Sequence, residues 1–408
     1  MSDLRISGSD QPPPTTPRIG SRIARRADLP RPKVDRFVIA LSAAMAVSAC
    51  VPAAGVITKP AAEAERPAVW VDSFASPGGD GSSERPLKSV PAALPPRAHL
   101  HLKTGVYPGP FTFAGVLVEG HGQVVLTAEA GETTVTAGDG TLLRTLSIQG
   151  GELGLAVLGR VTASQLHLSG QRRRGARVDG ELVLSDSEAV GSVEGVDGFG
   201  GAGTFRFERV KLEGLRRGVW CEGGVLAVSG LSALGVKAPV FATQCSGEVR
   251  AVTAEAGSGP AVAVSGGSLN VLGLTVRAQE YGLLLSSGAK VSATQLDVQR
   301  TEQACVSAVQ SELTLSASDL SACGMGGAVL LFDSSGVLSG LEVHDTRDLG
   351  VLVRHGALAV TASRFARITA SGDALGDALH VRESKAIIKA VRVTDVAGSA
   401  LFATAFAE

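Results

Sequence analysis

Charged side chains recur at nearly constant spacing in the C-terminal third of the sequence. This acid ladder consists of Asp297, Asp319, Glu342 and Arg364, whose residue numbers increase in steps of 22, 23 and 22. If one structural repeat has this length, three carboxylates stack and repel each other unless a cation or the arginine neutralises them. The ladder is therefore a candidate site for a ligand or for calcium, and the alternative is a charged face in contact with water.

A second charged group occupies one short stretch. The residues "GQRRRGARVDG", positions 170 to 180, contain Arg172, Arg173, Arg174 and Arg177. Four guanidinium groups in one turn could contact an anionic polysaccharide or lipid head groups. A turn of this kind is also commonly just a solvated surface.

Sequence motifs of the common enzyme classes are absent. There is no CxxC pair, no HExxH, no GxSxG and no Walker-type loop, and the seven histidines are scattered. The sequence therefore predicts no metal centre and no catalytic residue. The acid ladder is also a poor candidate for catalysis. Its arginine, Arg364, would have to act as the base, and a guanidinium group gives up its proton too reluctantly to do so without help.

Composition limits the classes of partner. The 408 residues carry 38 basic and 39 acidic side chains, a net charge of −1, which argues against nucleic-acid binding over a broad surface. Aromatic residues make up only 4% of the chain. The core must therefore be built from Val, Leu, Ala and Ile, which suits a stacked repeat.

A repeat of strand-like phrases fits that expectation. "SLNVLGLTV", at positions 268 to 276, recurs in variant form, and its equivalent apolar positions follow in steps of 21, 23, 20, 22 and 22. Those positions are Phe205, Leu226, Val249, Leu269, Val291 and Leu313. A period of this length with strand alternation indicates a solenoid in which Leu269, Val271, Leu274 and Val276 point inward. The pair at 272 and 273 marks a bend between two sheet faces.

One repeat departs from the period. The step from Leu358 to the matching Ala386 is 28, which is longer than the steps between the other repeats. The excess lies in residues 368 to 377 and predicts a protruding loop. Asp373, Asp377 and His380 could bind a ligand there, although a solvated loop is the simpler interpretation.

The second strand of each repeat predicts two apolar rows, one inward and one outward. The inward row is Val219, Val240, Leu283, Val351 and Leu401, and the outward row is Trp220, Phe241, Leu284, Leu352 and Phe402. A strand that is apolar on both faces is usually covered on both. A turn or another chain is expected to cover the outward row, unless the inward and outward positions are reversed in some repeats.

The stretch from residue 69 to residue 113 resembles the opening of pectate-lyase-like right-handed parallel β-helix proteins. A first strand at 69–71 is followed by a Gly/Asp/Ser turn, a capping helix at 87–94, a strand at 100–103 and the corner "GVYPGP". The resemblance implies an all-β, single-stranded right-handed solenoid of about a dozen coils with an N-terminal capping helix. Pectate lyases use a loosely similar acid and arginine arrangement with calcium. The paired aspartates and Gly-His-Gly element of polygalacturonases are missing.

Cysteine spacing predicts two disulfides. Beyond Cys50, the cysteines are Cys221, Cys245, Cys305 and Cys323, with successive steps of 24, 60 and 18. Of the three possible pairings, 221 with 245 and 305 with 323 join neighbouring coils, where a disulfide can reach. The alternative is four buried thiols.

The N-terminal segment has the pattern of a targeting signal. The apolar run from Phe37 to Ala49 is too short to span a bilayer and suits the core of a signal peptide. The following "VSAC" resembles the bacterial lipobox, which implies lipidation of Cys50. The alternative is an ordinary membrane-anchored signal. Val51 directly after the cysteine favours the outer membrane over retention in the inner one.

The sequence thus divides into four parts: a signal peptide with lipobox at 1–50, an Ala/Pro-rich tether at 51–67, a strand and capping region at 68–113, and a parallel β-helix at 114–408. The predicted function is a lipid-anchored binding or structural module of the cell envelope, without catalysis. A membrane and a polysaccharide or envelope protein are the expected partners. The alternative is a polysaccharide lyase or hydrolase acting on an acidic polysaccharide.

Overall fold

The computed structural model describes residues 66–191, 195–371 and 376–404. These residues form 34 strands in two sheets, of 20 and 14 strands. The paired strands run parallel, and each pairs with strands one coil before and after it. The fold is a right-handed parallel β-helix, and its 14-stranded sheet corresponds to about fourteen coils.

The strands in chain order are β1 (Ala68–Val71), β2 (His99–Pro108), β3 (Phe111–Phe113), β4 (Leu117–Ala128), β5 (Thr133–Ala137), β6 (Thr141–Gly150), β7 (Leu153–Val157), β8 (Arg160–Ser169), β9 (Arg174–Val178), β10 (Glu181–Val190), β11 (Asp197–Gly201), β12 (Thr204–Glu213), β13 (Arg217–Glu222), β14 (Val225–Leu234), β15 (Ala238–Thr243), β16 (Ser246–Glu255), β17 (Pro260–Ser265), β18 (Ser268–Arg277), β19 (Tyr281–Ser286), β20 (Lys290–Thr294), β21 (Asp297–Gln299), β22 (Val306–Val309), β23 (Glu312–Ser316), β24 (Asp319–Ser321), β25 (Val329–Phe332), β26 (Ser335–Ser339), β27 (Glu342–His344), β28 (Leu349–Arg354), β29 (Ala357–Thr361), β30 (Arg364–Ile368), β31 (Asp377–Arg382), β32 (Lys385–Lys389), β33 (Arg392–Val396) and β34 (Leu401–Thr404).

A typical coil consists of one long strand of the first sheet and one short strand of the second, as in β18 followed by β19. The long strand bends in its middle at Gly273, whose φ of 69° lies in the left-handed region. The equivalent residue of eleven other coils also has positive φ: Thr145, Gln165, Asp186, Arg209, Gly230, Ala251, Gln295, Ala317, Gly340, Ala362 and Ala390. This corner column turns each coil from one sheet face to the next, as predicted for residues 272 and 273. From β20 onward the bend splits the long strand into two strands.

The core fills the inside of the coils with aliphatic side chains. Leu269, Val271, Leu274 and Val276 are all buried, as the alternation predicts. Leu269 lies in register with Val291 of the next coil. Each such side chain contributes about 1.5–3 kcal/mol on burial, and it does so only because the neighbouring coils cover it.

The helix predicted over residues 87–94 does not form. Leu87 instead makes a bridge to Val71, with its backbone N–H donating to the Trp70 carbonyl at 2.9 Å, and the following residues form bends. Pro91 explains the difference, since a proline inside a helix removes a backbone donor and clashes with the preceding turn. Leu87 and Leu94 still pack against the core, so extended chain covers this end of the coils.

The structure contains the two predicted disulfides. Cys221 is bonded to Cys245 and Cys305 to Cys323, with Cα separations of 6.3 and 5.3 Å. All four side chains are buried in the core. Each bond links adjacent coils, as the spacing required.

The irregular coil lies partly outside the described residues, which omit 372–375 and thus Asp373. Asp377 and His380 are both buried, and their side chains are hydrogen-bonded at 2.7 Å. The ring of His380 stacks on Phe402, with centroids 4.6 Å apart. These two groups therefore hold coils together and do not face an open loop.

The predicted apolar rows keep their parity across the described coils. Val219, Val240, Leu283 and Val351 are fully buried, whereas Trp220 and the other outward members are partly exposed. Leu401, predicted to point inward, is 50% exposed because it lies in β34, the last strand described.

Cys50, the signal segment and nearly all of the predicted tether precede the described residues, so their predictions remain untested. Within the described part of the chain, no helix is long and apolar enough to span a membrane.

Candidate anionic-ligand site

The acid ladder forms in the predicted register. Asp297 pairs with Asp319, Asp319 with Glu342, and Glu342 with Arg364 on successive strands of the first sheet. The coil period therefore brings all four residues into one row.

Neighbouring side chains contact two of the carboxylates in this row. Arg277, from the preceding coil, forms an ion pair with Asp297. The Nε2 of His344 lies 3.1 Å from the Asp319 carboxylate, and its Nδ1 lies 2.6 Å from Asp345. Among the described residues, the ladder does not bring three carboxylates together as ligands around one point. The arrangement is thus less suited to calcium, which takes six to eight oxygen ligands.

The arginine stretch leads to a more concentrated site on the second sheet. Arg174 opens β9, Asp197 opens β11 and Arg217 opens β13, and the three residues are in register. Arg216 directly precedes β13, and Trp220 lies on the same strand as Arg217. We call these five residues the arginine–tryptophan cluster.

Asp197 is the anchor of the cluster. Its side chain is only 2% exposed and accepts four hydrogen bonds. Arg216 donates through Nε and Nη2 at 3.0 and 2.9 Å, and Arg217 donates through the same atoms at 3.0 and 2.6 Å. Burial alone raises the pKa of Asp197, but the hydrogen bonds from Arg217 and Arg216 outweigh that effect and hold the pKa below its usual range. The carboxylate therefore stays ionised.

Trp220 provides an aromatic surface beside these charges. The guanidinium carbons of Arg217 and Arg174 lie 4.0 and 4.8 Å from its ring centroid, within the range of cation–π attraction. Gly200 is the register partner of Trp220 one coil earlier. A Cβ at Gly200 would lie 2.7 Å from the indole Cε3, so a glycine is needed for the ring to lie close over the sheet.

Arg174 is the least satisfied cation of the cluster. Its closest approach to Asp197 is 4.0 Å, and its Nε is buried with no hydrogen-bond partner among the described atoms. Burial lowers the pKa of Arg174; the nearby Asp197 opposes this effect, and the neighbouring Arg217 adds to it. A buried donor without a partner costs free energy, which an acceptor on a ligand recovers once the guanidinium group turns to expose that donor.

The cluster combines charge with planar surface. Three arginines and one aspartate leave a net charge of +2, and the side chain of Arg216 is 48% exposed. Arg172, Arg173 and Arg177 lie exposed beside the cluster, and Arg177 is paired with Asp179 at 2.9 Å. Guanidinium groups bind carboxylate and phosphate oxygens in bidentate geometry. The site can therefore accept an anionic group next to a ring-shaped ligand.

Sequence reasoning found Arg174 and the outward position of Trp220 but missed Asp197, Arg216 and Arg217. A signal was present, since Arg174, Asp197 and Arg217 follow one another in steps of 23 and 20, the spacing of one coil. The repeat positions predicted from the sequence begin at Phe205, so they do not include the coils of Arg174 and Asp197.

The fold is the pectate-lyase-like right-handed parallel β-helix that the stretch from residue 69 to residue 113 implies. Among solved structures, the chain is similar to the catalytic unit of a thermostable GH87 α-1,3-glucanase from Streptomyces thermodiastaticus, with 13% identity over 85% of this chain and 72% of that one, and a TM-score of 0.44. It is also similar to the A-module of a mannuronan C-5 epimerase from Azotobacter vinelandii, with 13% identity, 76% and 91% coverage and a TM-score of 0.36.

A third similar structure is a Family 28 exopolygalacturonase from Yersinia enterocolitica, with 9% identity, 83% and 80% coverage and a TM-score of 0.32. No protein-family model matches the chain, and no curated protein shows significant similarity to it.

Proposed function

We propose that this protein binds an acidic polysaccharide through the arginine–tryptophan cluster, as an exported module anchored by a lipid at Cys50. The observation that carries the proposal is Arg174, a largely buried guanidinium whose Nε has no hydrogen-bond partner among the described atoms, beside the ring of Trp220. A uronic acid offers a carboxylate for the arginine and an apolar ring face for the indole.

The surroundings suit a long ligand. Exposed arginines flank the cluster at the turn before β9, and the half-buried ring of Phe241 lies in register with Trp220 on the next coil. Successive strands are about 4.8 Å apart, so the outer face offers contacts at regular intervals to a chain that runs along the coils.

Binding without cleavage is the activity that the cluster supports. A general acid must carry a proton near neutral pH, whereas the pKa of Asp197 is lowered and both of its oxygens already accept hydrogen bonds. Asp179, a carboxylate that directly follows β9, is paired with Arg177.

A second candidate function is polysaccharide cleavage at the acid ladder. It is favoured by His344, which lies between the carboxylates of Asp319 and Asp345 on the face that also carries Glu342. Histidine is the side chain that most often transfers protons in enzyme active sites.

The proposal also includes the location of the protein, which is the cell envelope. The apolar run and "VSAC" indicate a lipid on Cys50, and the Ala/Pro-rich tether would separate the β-helix from the membrane surface. Val51 favours the outer membrane.

The proposal is tested by measuring how the full-length protein binds polygalacturonate and alginate. Affinity electrophoresis and calorimetry measure the binding, and neutral dextran is the control. We expect Arg174→Gln to weaken binding of the acidic polymers at least about tenfold, the equivalent of one charge-assisted hydrogen bond. Arg250→Gln is the matched control, because Arg250 is an exposed arginine paired with Glu248 on the first sheet.

Equal affinity of Arg174→Gln and wild type would contradict the binding site. Release of unsaturated oligosaccharides that is lost in Asp319→Asn would instead establish the second candidate. Since Arg174 makes no close ion pair, its substitution should not unfold the protein, and circular dichroism checks this.

A further inference from the structure

A group of histidines lies near the N-terminal end of the described β-helix, on the outer face of β1, β2 and β4. His99 and His101 occupy alternate positions of β2, and Glu119 of β4 is the register partner of His101. His121 is the next residue of β4 on the same face as Glu119. Three of the seven histidines of the chain therefore meet on two neighbouring strands.

The side chains are in direct contact. The Nε2 of His99 lies 2.8 Å from the Glu119 carboxylate, and the Nδ1 of His101 lies 2.9 Å from the Nε2 of His121. The rings of His99 and His101 have centroids 3.6 Å apart. The indole of Trp70 stacks on His101 at 4.1 Å with an interplanar angle of 9°.

Three of these groups converge as ligands would. One donor atom each from His99, His101 and Glu119 lies within 4.8 Å of the other two, and all three residues are half-buried. Donor atoms around a tetrahedral ion with bonds of about 2.0–2.1 Å are roughly 3.3 Å apart, so small side-chain rotations suffice to close the site.

We propose that His99, His101 and Glu119 bind a divalent transition-metal ion of the zinc class. Two imidazole nitrogens and one carboxylate oxygen form a donor set typical of Zn²⁺, Cu²⁺ or Ni²⁺, whereas Ca²⁺ and Mg²⁺ require oxygen ligands. Three protein ligands leave a fourth position for water or for His121. The site lies on the first sheet and is independent of the arginine–tryptophan cluster.

Trp70 offers a direct readout. The chain has only two tryptophans, so Trp220→Phe leaves Trp70 as the single reporter, stacked on a proposed ligand. Open-shell Ni²⁺ or Cu²⁺ bound to His101 should quench its fluorescence, and closed-shell Zn²⁺ should displace the quencher.

The experiment is a Ni²⁺ titration of tag-free, full-length Trp220→Phe protein. We expect quenching that saturates at one equivalent and is reversed by Zn²⁺. Glu119→Gln and His101→Gln should each weaken binding at least about tenfold, because loss of even a second-layer partner of a metal ligand typically costs about 10- to 100-fold. His167→Gln is the matched control, since His167 forms a comparable half-exposed pair with Glu188 at 2.5 Å and should not alter the titration.

Calorimetry of the wild-type protein with Zn²⁺ provides a second measurement that does not depend on the fold of the tryptophan variant. Nitrogen hyperfine structure in the Cu²⁺ resonance spectrum should change in His101→Gln. Unaltered Ni²⁺ binding in both ligand variants, or no Zn²⁺ binding by the wild type, would overturn the proposal and leave the group as a stacked set of rings.

Discussion

Arg217 contacts Trp220 and Asp197 with the same guanidinium group. Its Nε and Nη2 donate to the buried carboxylate, while its central carbon lies 4.0 Å from the centroid of the indole ring. The charge pair thereby fixes the arginine that lies over the aromatic ring, so the stability of the site and its capacity to bind a ligand are coupled.

The first prediction concerns the buried carboxylate. Asp197→Asn removes the charge that two arginines share, and breaking a buried ion pair costs about 3–5 kcal/mol in unfolding free energy. We expect the lower end of this range, because the side chain of Arg216 is 48% exposed. Urea unfolding of the wild type and of Asp197→Asn measures this loss of unfolding free energy.

Asp186→Asn is the matched control for this prediction. Asp186 is also held in bidentate geometry, by Arg209, but both side chains are about half exposed, so the loss should be clearly smaller than in Asp197→Asn. Equal losses in the two variants would contradict the special role of burial at Asp197.

The second prediction is a pH dependence. The pKa of Asp197 lies below its usual value of 3.8 in the folded protein, so its contribution is present above that value and is lost as pH falls through the folded pKa. The difference in unfolding free energy between wild type and Asp197→Asn should therefore narrow as the pH falls below about 4. A difference that is constant with pH would contradict this assignment.

The third prediction concerns the corner column. Ala317 has a φ of 46° and an exposed side chain, and a left-handed conformation costs an ordinary residue about 1–2 kcal/mol relative to glycine. Ala317→Gly should thus raise the free energy of unfolding by roughly 1 kcal/mol, less the extra entropy of the unfolded glycine. Ala293→Gly, at a buried position in β20 of the preceding coil, should lower the free energy of unfolding.

The fourth prediction concerns the covalent links. The disulfides join cysteines separated by 24 and 18 residues, and for loops of this length chain entropy predicts a contribution of roughly 3 kcal/mol each. Double alanine variants of either pair should lose similar stability in non-reducing urea unfolding. Peptide mapping that recovers four free thiols from envelope fractions would refute the pairing.

The fifth prediction is lipidation. Cells labelled with a fatty-acid precursor should incorporate label into the wild type and not into Cys50→Ser. Unchanged labelling of the variant would rule out Cys50 as the modified residue.

Much of the fold was predictable because a solenoid turns sequence period into spatial neighbourhood. The steps from Asp297 to Asp319 and Glu342 gave the correct register of the acid ladder, and cysteine spacing gave both disulfides. The capping helix, which the family resemblance implied, was wrong because Pro91 lies inside residues 87–94 and interrupts a helix there.

The candidate site was harder to predict from the sequence. Its arginines were visible as a charged turn, but the importance of Arg174 depends on how its guanidinium packs against Trp220 and on the distance from Asp197. Side-chain conformation sets those quantities, and the period of the chain carries no information on them.

The corner column also acts as a reading frame. A slip of one residue within a coil would move a β-branched side chain such as Val271 toward the solvent face and place Leu272 or Leu274 at the left-handed position now held by Gly273. Both changes are unfavourable, because each coil packs against its neighbours in a fixed register. Loss of a single residue should therefore disturb this chain more than removal of an entire coil, which leaves the frame of all other coils intact.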